Sequence, residues 1–187
     1  MILDTSALIG GFDPFTVREE QYSPPMVEEE VKRNNITLLR FNMAVENGKV
    51  KILEPSRAFL EQVKACATSL GDSFFLSETD LQVLALALEI NSRGNIPQIV
   101  TDDYSIQNVA KKLGVKFVPL TTFGIRRVLN WIRYCPACHK KYSPNLKASE
   151  CQICGTELKR KPQSMRQHSN FTEEPTSKSE VSLQEQR

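Results

Sequence analysis

The chain has 187 residues, 40% hydrophobic and 25% charged, which suits one medium domain with a real core plus a small module or a tail. Its net charge of +2 conceals a division: residues 1–125 carry 12 Lys/Arg against 16 Asp/Glu, residues 126–166 carry 10 against 2, and residues 167–187 carry 2 against 4. No apolar run nears the roughly 20 residues that cross a bilayer and no cleavable leader precedes the first apolar pair, so a cytoplasmic protein with no membrane partner is expected.

Ile2 and Leu3 predict a short strand covered on both faces, since two apolar residues are too few to alternate. Asp4 stands where that strand turns into a helix beginning near Ala7, and Ala7 to Phe12 reads as a short helix or turn closed by Pro14. Tyr22-Ser23-Pro24-Pro25 is a helix-start signal with Ser23 as cap; Val27 and Val31 then share a face. Glu28, Glu29 and Glu30 fall in the early turns, where the helix dipole favours acids. Leu38, Leu39, Phe41 and Met43 belong to a helical or mixed segment, and Lys49 to Leu53 alternates as a strand ending at Pro55.

Ser56 to Leu70 has helical apolar spacing and stops at Gly71, with Cys66 on the apolar stripe as a core residue. Ser77-Glu-Thr-Asp80 resembles a capping box for the apolar helix Leu81 to Ile90. Pro97 to Val100 is a strand running into Thr101-Asp102-Asp103; a helix from about Ser105 to Leu113 and a strand over Val115 to Val118 follow. Strands alternating with helices predict a three-layer α/β domain with a mainly parallel sheet over residues 1–121. Residues 122–133 form a basic connector containing Arg126 and Arg127, residues 134–161 a small module, and residues 162–187 a polar, disordered tail.

Acids stand at four element boundaries: Asp4, Glu30 with its neighbours, Asp80, and Asp102/Asp103. Asp4 and Asp102/Asp103 leave the same edge of a parallel sheet if their strands share it, the edge outside which ligands bind. Carboxylates from separate elements suit Mg²⁺ or Mn²⁺, which take hard oxygen ligands and keep several waters. Each acid also has a plainer reading: Asp80 as a helix-start residue, Asp102 as a helix cap, the glutamates as a solvated face. Asp4, directly after a buried strand, is poorly placed for that.

Together the blocks Ile-Leu-Asp4-Thr-Ser, Val27-Glu-Glu-Glu30-Val, Leu76-Ser-Glu-Thr-Asp80 and Val100-Thr-Asp-Asp103 resemble the acidic blocks of PIN-domain ribonucleases over roughly residues 1–120. The resemblance implies Asp4, Glu30, Asp80 and Asp103 as catalytic metal ligands, with Asp102 a close second to Asp103. It implies accessory roles for the hydroxyls of Ser6 and Thr101. The run of three glutamates leaves the second acid ambiguous by one residue.

Cys135-Pro-Ala-Cys138 and Cys151-Gln-Ile-Cys154-Gly155 are two Cys-x-x-Cys knuckles, a pattern for one structural, closed tetrahedral zinc site. His139 adjoins a ligand and is read as facing solvent or RNA. Lys140, Lys141, Tyr142 and Lys147, with Lys159, Arg160 and Lys161, offer phosphate contacts and one ring for stacking, or simply a soluble surface.

A PIN-like body followed by a zinc ribbon resembles the archaeal Nob-type ribosome-maturation endonucleases. That resemblance implies a metal-dependent endoribonuclease that cuts precursor small-subunit (16S) rRNA to its mature 3′ end, with the ribbon holding the RNA or pre-ribosome. The alternatives are a non-catalytic RNA- or pre-ribosome-binding adaptor with a vestigial acidic cluster, and a toxin-type PIN ribonuclease with a small antitoxin partner.

Overall fold

A computed structural model describes residues 1–163. Apart from Pro162 and Gln163, the expected tail lies outside the described residues. The body is a five-stranded parallel sheet in the order β3 (Val50–Ile52), β2 (Gln21–Ser23), β1 (Ile2–Leu3), β4 (Gln98–Val100), β5 (Lys116–Val118). Helices α1 (Thr5–Ile9), α2 (Pro25–Val31), α3 (Asn35–Glu46), α4 (Arg57–Leu70), α5 (Glu78–Ser92) and α6 (Tyr104–Lys112) connect and cover the strands.

Helix α5 buries Leu81, Val83, Leu84, Ala85, Leu86 and Ala87, as a helix apolar on most of its circumference does when it sits inside a core. Its start is a true capping box: Ser77 Oγ accepts from the Asp80 amide at 3.2 Å, and Asp80 Oδ2 accepts from the Ser77 amide at 2.7 Å. Residues 35–46, read as helical or mixed, are a helix capped by Asn34, whose side chain accepts from the Thr37 amide at 3.1 Å.

Two local readings are corrected. Ser23 does not cap α2, which starts behind Pro24 with no side-chain cap; it ends strand β2. That strand escaped the sequence because its inward residues are polar: Gln21 and Ser23 are buried, Gln21 Nε2 donates to Pro14 O at 2.8 Å, and Ser23 Oγ donates to Leu3 O at 3.3 Å. Helix α1 begins at Thr5, two residues before Ala7, because Asp4 itself is its cap.

The ribbon is an antiparallel sheet of β6 (Trp131–Tyr134) between β7 (Lys141–Tyr142) and β8 (Lys159–Pro162). The first three residues of β6, 131–133, lie inside the segment expected as connector. The remaining connector has no helix or strand and is strapped along α6: Gln107 Oε1 accepts from the Ile125 amide at 3.0 Å, and Asn108 Oδ1 from the Leu129 amide at 2.7 Å.

Candidate active site

Strand order reverses between β1 and β4, the topological switch point at which open α/β sheets bind ligands outside the carboxyl ends of their strands. Asp4 follows β1 there, and Thr101 to Asp103 follow β4. Asp4 is 3% exposed; Oδ1 accepts from the Thr5 amide at 2.8 Å, while Oδ2 accepts from Ser6 Oγ at 2.5 Å and Thr101 Oγ1 at 2.7 Å. Burial pushes its carboxyl up, and those hydroxyl and amide donors pull it part of the way back. The Ser6 hydroxyl also accepts from the Asp102 amide at 3.1 Å, and Thr101 Oγ1 from the Asp103 amide at 3.1 Å. Two short strand ends are thus laced into one rigid edge.

Three more acids face this edge. Thr5 Oγ1 donates to Glu30 Oε2 at 2.6 Å, tying Glu30 to the residue beside Asp4. Glu29 instead forms an exposed pair with Lys32 at 2.6 Å. Asp80 is pushed up to about 6, first by burial and then by the negative charges of Asp4 and Asp103, against the opposing Ser77 cap bonds. The three carboxylates therefore lie within electrostatic reach of one another. Asp103 spends Oδ1 on the first amides of α6, Ser105 at 2.6 Å and Ile106 at 3.2 Å, and its Oδ2 makes no hydrogen bond among the described residues.

Asp102 occupies a different place. Its oxygens accept from the amides of Leu120, Thr121 and Thr122 at 3.0–3.2 Å and from both threonine hydroxyls at 2.9 and 3.1 Å. Slight burial pushes this carboxyl up, but those donors outweigh it and hold it well below the usual range. With its lone pairs so engaged, Asp102 fastens the start of the connector, while the charge of Asp103 is felt at Asp80.

No ion pair neutralises Asp4, Glu30, Asp80 or Asp103 among the described residues. Neither does any trio of their oxygens close to within 4.8 Å, so four direct bonds to one ion do not match the geometry. A hard cation held by one or two carboxylates, with waters reaching the rest, does match.

The four ribbon cysteines do converge, their sulfurs all within 4.8 Å of one another, with Cys135–Cys154 at 3.4 Å and Cys138–Cys151 at 3.5 Å. Tetrahedral zinc with Zn–S of about 2.3 Å sets sulfur–sulfur edges near ~3.8 Å, so the donor set fits zinc. The two knuckles repeat one turn: the residue after the second cysteine is left-handed in both, Gly155 at φ 71° and His139 at φ 60°, each amide donating to the carbonyl of the knuckle's first cysteine. Tyr142, expected as a stacking platform, packs into the ribbon core, its hydroxyl 3.1 Å from Cys151 Sγ. Arg160 is likewise not a free phosphate contact, because it inserts between Phe75 and Trp131. Lys140, Lys141, Lys147, Arg126 and Arg127 are exposed, and beside the two arginines Phe123 is fully exposed, an aromatic the sequence reading passed over.

A parallel α/β sheet with an unneutralised acidic edge at its switch point is the frame of a metal-dependent nuclease, and residues 1–90 match the family described as the PIN domain of ribonuclease. Endoribonuclease Nob1 of Methanocaldococcus jannaschii is 37% identical over 160 residues, covering 86% of this chain and 76% of its own. Endoribonuclease Nob1 of Pyrococcus abyssi is 37% identical over 166 residues, covering 89% and 96% respectively. Ribonuclease VapC1 of Thermoplasma acidophilum is 35% identical over 159 residues, covering 85% and 76%. The chain is a PIN-domain endoribonuclease. More narrowly, it belongs to the Nob1 endoribonuclease family. Among the described residues no helix is long and apolar enough to cross a membrane.

Proposed function

We propose that this endoribonuclease acts in the cytoplasm on precursor small-subunit rRNA within the pre-ribosomal small subunit, cutting it to form the mature 16S 3′ end. Asp4, Glu30, Asp80 and Asp103 hold Mn²⁺ or Mg²⁺, one or two of them directly and the rest through its waters, and Cys135, Cys138, Cys151 and Cys154 hold one structural Zn²⁺. The observation that carries the catalytic part is the edge itself: a half-buried Asp80 raised to about 6 by burial first and by the charges of Asp4 and Asp103 after it, with no cation paired to these acids among the described residues. Such a cluster is costly unless a cation joins it. The substrate assignment draws its support from the Nob1 relatives and from the basic ribbon.

A divalent ion at such a site offers Lewis-acid stabilisation of phosphate charge and a water of lowered pKa. The chain's own contribution is positional. Asp4, clamped by Ser6 and Thr101, fixes one ligand direction; Thr5 fixes Glu30; the caps of α5 and α6 leave one oxygen each on Asp80 and Asp103 for the ion and its waters. No His, Lys or Arg side chain hydrogen-bonds to these acids among the described residues, so no protein general base is assigned. The exposed Arg126, Arg127, Lys140, Lys141 and Lys147 hold RNA phosphates, which sets register without reading bases.

The test is to map the RNA ends produced by purified protein and its Asp4→Asn variant on a fragment spanning the precursor junction. The parent should cut at one position with Mn²⁺ present, and the variant should lose 100-fold or more in rate with its fold intact. Undiminished cutting by the variant removes the catalytic assignment; cutting scattered away from the junction removes the substrate assignment.

A further inference from the structure

Body and ribbon enclose a groove of about 430 Å³, separate from the acidic edge and within the range of small-ligand sites, ~300–1,000 Å³. Its walls include three rings, Phe74 and Phe75 from the α4–α5 loop and Trp131 from β6, and three cations, Arg133, Lys147 and Arg160. No carboxylate residue lines it among the described residues. Arg160 already stacks between Phe75 and Trp131, at 3.8 and 3.7 Å from their ring centres. Phe74 is about as exposed as Phe75, at 55% against 51%, but no cation covers its ring among the described residues. Trp131 Nε1, buried at the same place, has no hydrogen-bond partner among the described residues.

We propose that this groove receives an unpaired base of the substrate RNA, stacked on Phe74, with the flanking phosphates on Lys147 and Arg133. The proposal rests on the endoribonuclease reading and assigns a substrate subsite to it. Apolar walls with rings suit a base face, which every nucleotide carries, and the cationic rim suits a polyanion. The loop links the groove to the cutting edge: Phe75 and Asp80 are five residues apart, so their Cα atoms are at most about 18 Å distant. A base held in the groove places the strand only a short reach from the acids.

Trp131 is the only tryptophan in the chain, so its fluorescence reports the groove directly. The experiment titrates the full, zinc-loaded chain, without added Mn²⁺ or Mg²⁺, with a single-stranded oligoribonucleotide and with a duplex of the same sequence. The single strand should quench Trp131 emission saturably and the duplex should not. Phe74→Ala should weaken the quench-derived affinity by about 10-fold, as loss of one stacked base does. Phe74→Leu, which keeps the apolar bulk, should weaken it nearly as much, and Lys147→Ala should lower the salt slope by about one. Equal response to single strand and duplex, or parent-like binding by both Phe74 variants, overturns the proposal and leaves the groove to a protein partner. Specific cleavage with no Trp131 response also defeats the groove while leaving the enzymatic reading; quenching without any cleavage under Mn²⁺ does the reverse.

Discussion

Arg160 of the ribbon and Asp72 of the PIN body form an ion pair across the domain junction, with Asp72 completely buried. Asp72 Oδ2 also accepts from Asn108 Nδ2 at 2.6 Å, and the same amide group donates to Leu129 O at 2.8 Å. Burial pushes the Asp72 carboxyl up, and Asn108 and the Arg160 charge oppose it. Removing one partner strands a buried charge, which typically costs about 3–5 kcal/mol. Arg160→Ala should therefore lower the unfolding free energy measured in denaturant by that amount and expose residues 121–131 to proteolysis. Exchanging both residues for apolar ones of similar volume should cost much less. Gly71 adds a steric clause: at φ 77° a Cβ there would lie 2.5 Å from Pro144 Cβ, so Gly71→Ala should loosen the same junction.

Asp80 gives the protein a particular pH dependence. Its carboxyl sits at about 6 in the fold, against an ordinary value of 3.8. Between those values the folded chain binds more protons than the unfolded one, so metal-free stability falls as pH rises from about 4 to 6. Discounted for the partial exposure of the group, the loss is on the order of 1–2 kcal/mol. Asp80→Asn keeps an acceptor for the Ser77 amide and should flatten this dependence. Adding Mn²⁺ to the parent should flatten it as well, while the variant, left with three of the four acids, should respond less to the ion. Thermal melts across pH 4–7, with and without Mn²⁺, measure both effects.

How much of this was legible in the sequence follows from where the signals reside. The capping box, the glycine stops and the Cys-x-x-Cys pairs are local patterns, and the structure places each where local chemistry does. Strand β2 was not legible, because Gln21 and Ser23 are buried through bonds to residues that the fold alone brings near. The division of labour between Asp102 and Asp103 was equally hidden: it depends on amides near 120, joined to 102 only in three dimensions. Thr5 could have been noticed as a hydroxyl beside Asp4, but its bond to Glu30 spans 25 residues. Arg160 looked like one more surface cation, and nothing near it in sequence announces Asp72.

The ribbon knuckles make a prediction about strain. His139 adopts the left-handed conformation that Gly155 adopts in the matching turn. A side chain there costs about 1–2 kcal/mol, partly offset because glycine frees the unfolded chain. His139→Gly should stabilise the zinc-loaded ribbon by about 0.5–1 kcal/mol and slow metal transfer to a chelator. Gly155→His should do the opposite. Complete chelation should melt the ribbon sheet and release Arg160, so that the junction becomes protease-sensitive as in Arg160→Ala.

The adjacent acids 102 and 103 separate folding from catalysis. Asp102 accepts from three consecutive amides and two hydroxyls, and its depressed pKa means that its stabilisation exists above the usual carboxylate range and disappears as pH falls below about 3.8. Asp102→Ala should hand those largely exposed amides to water and cost about 1–2 kcal/mol, visible as a lower melting temperature and faster hydrogen exchange at Leu120, Thr121 and Thr122. Rate per folded molecule should change less than 10-fold. Asp103→Asn keeps an acceptor for the first amides of α6 and so should melt within about 1 kcal/mol of the parent. It removes the one carboxylate charge that β4 sends to the acidic edge, and cutting should fall by 100-fold or more. If the two variants exchange these phenotypes, with Asp102→Ala stable but inactive, then the oxygens facing Thr121 and Thr122 turn to the ion in the working enzyme and the assignment of the edge reverses.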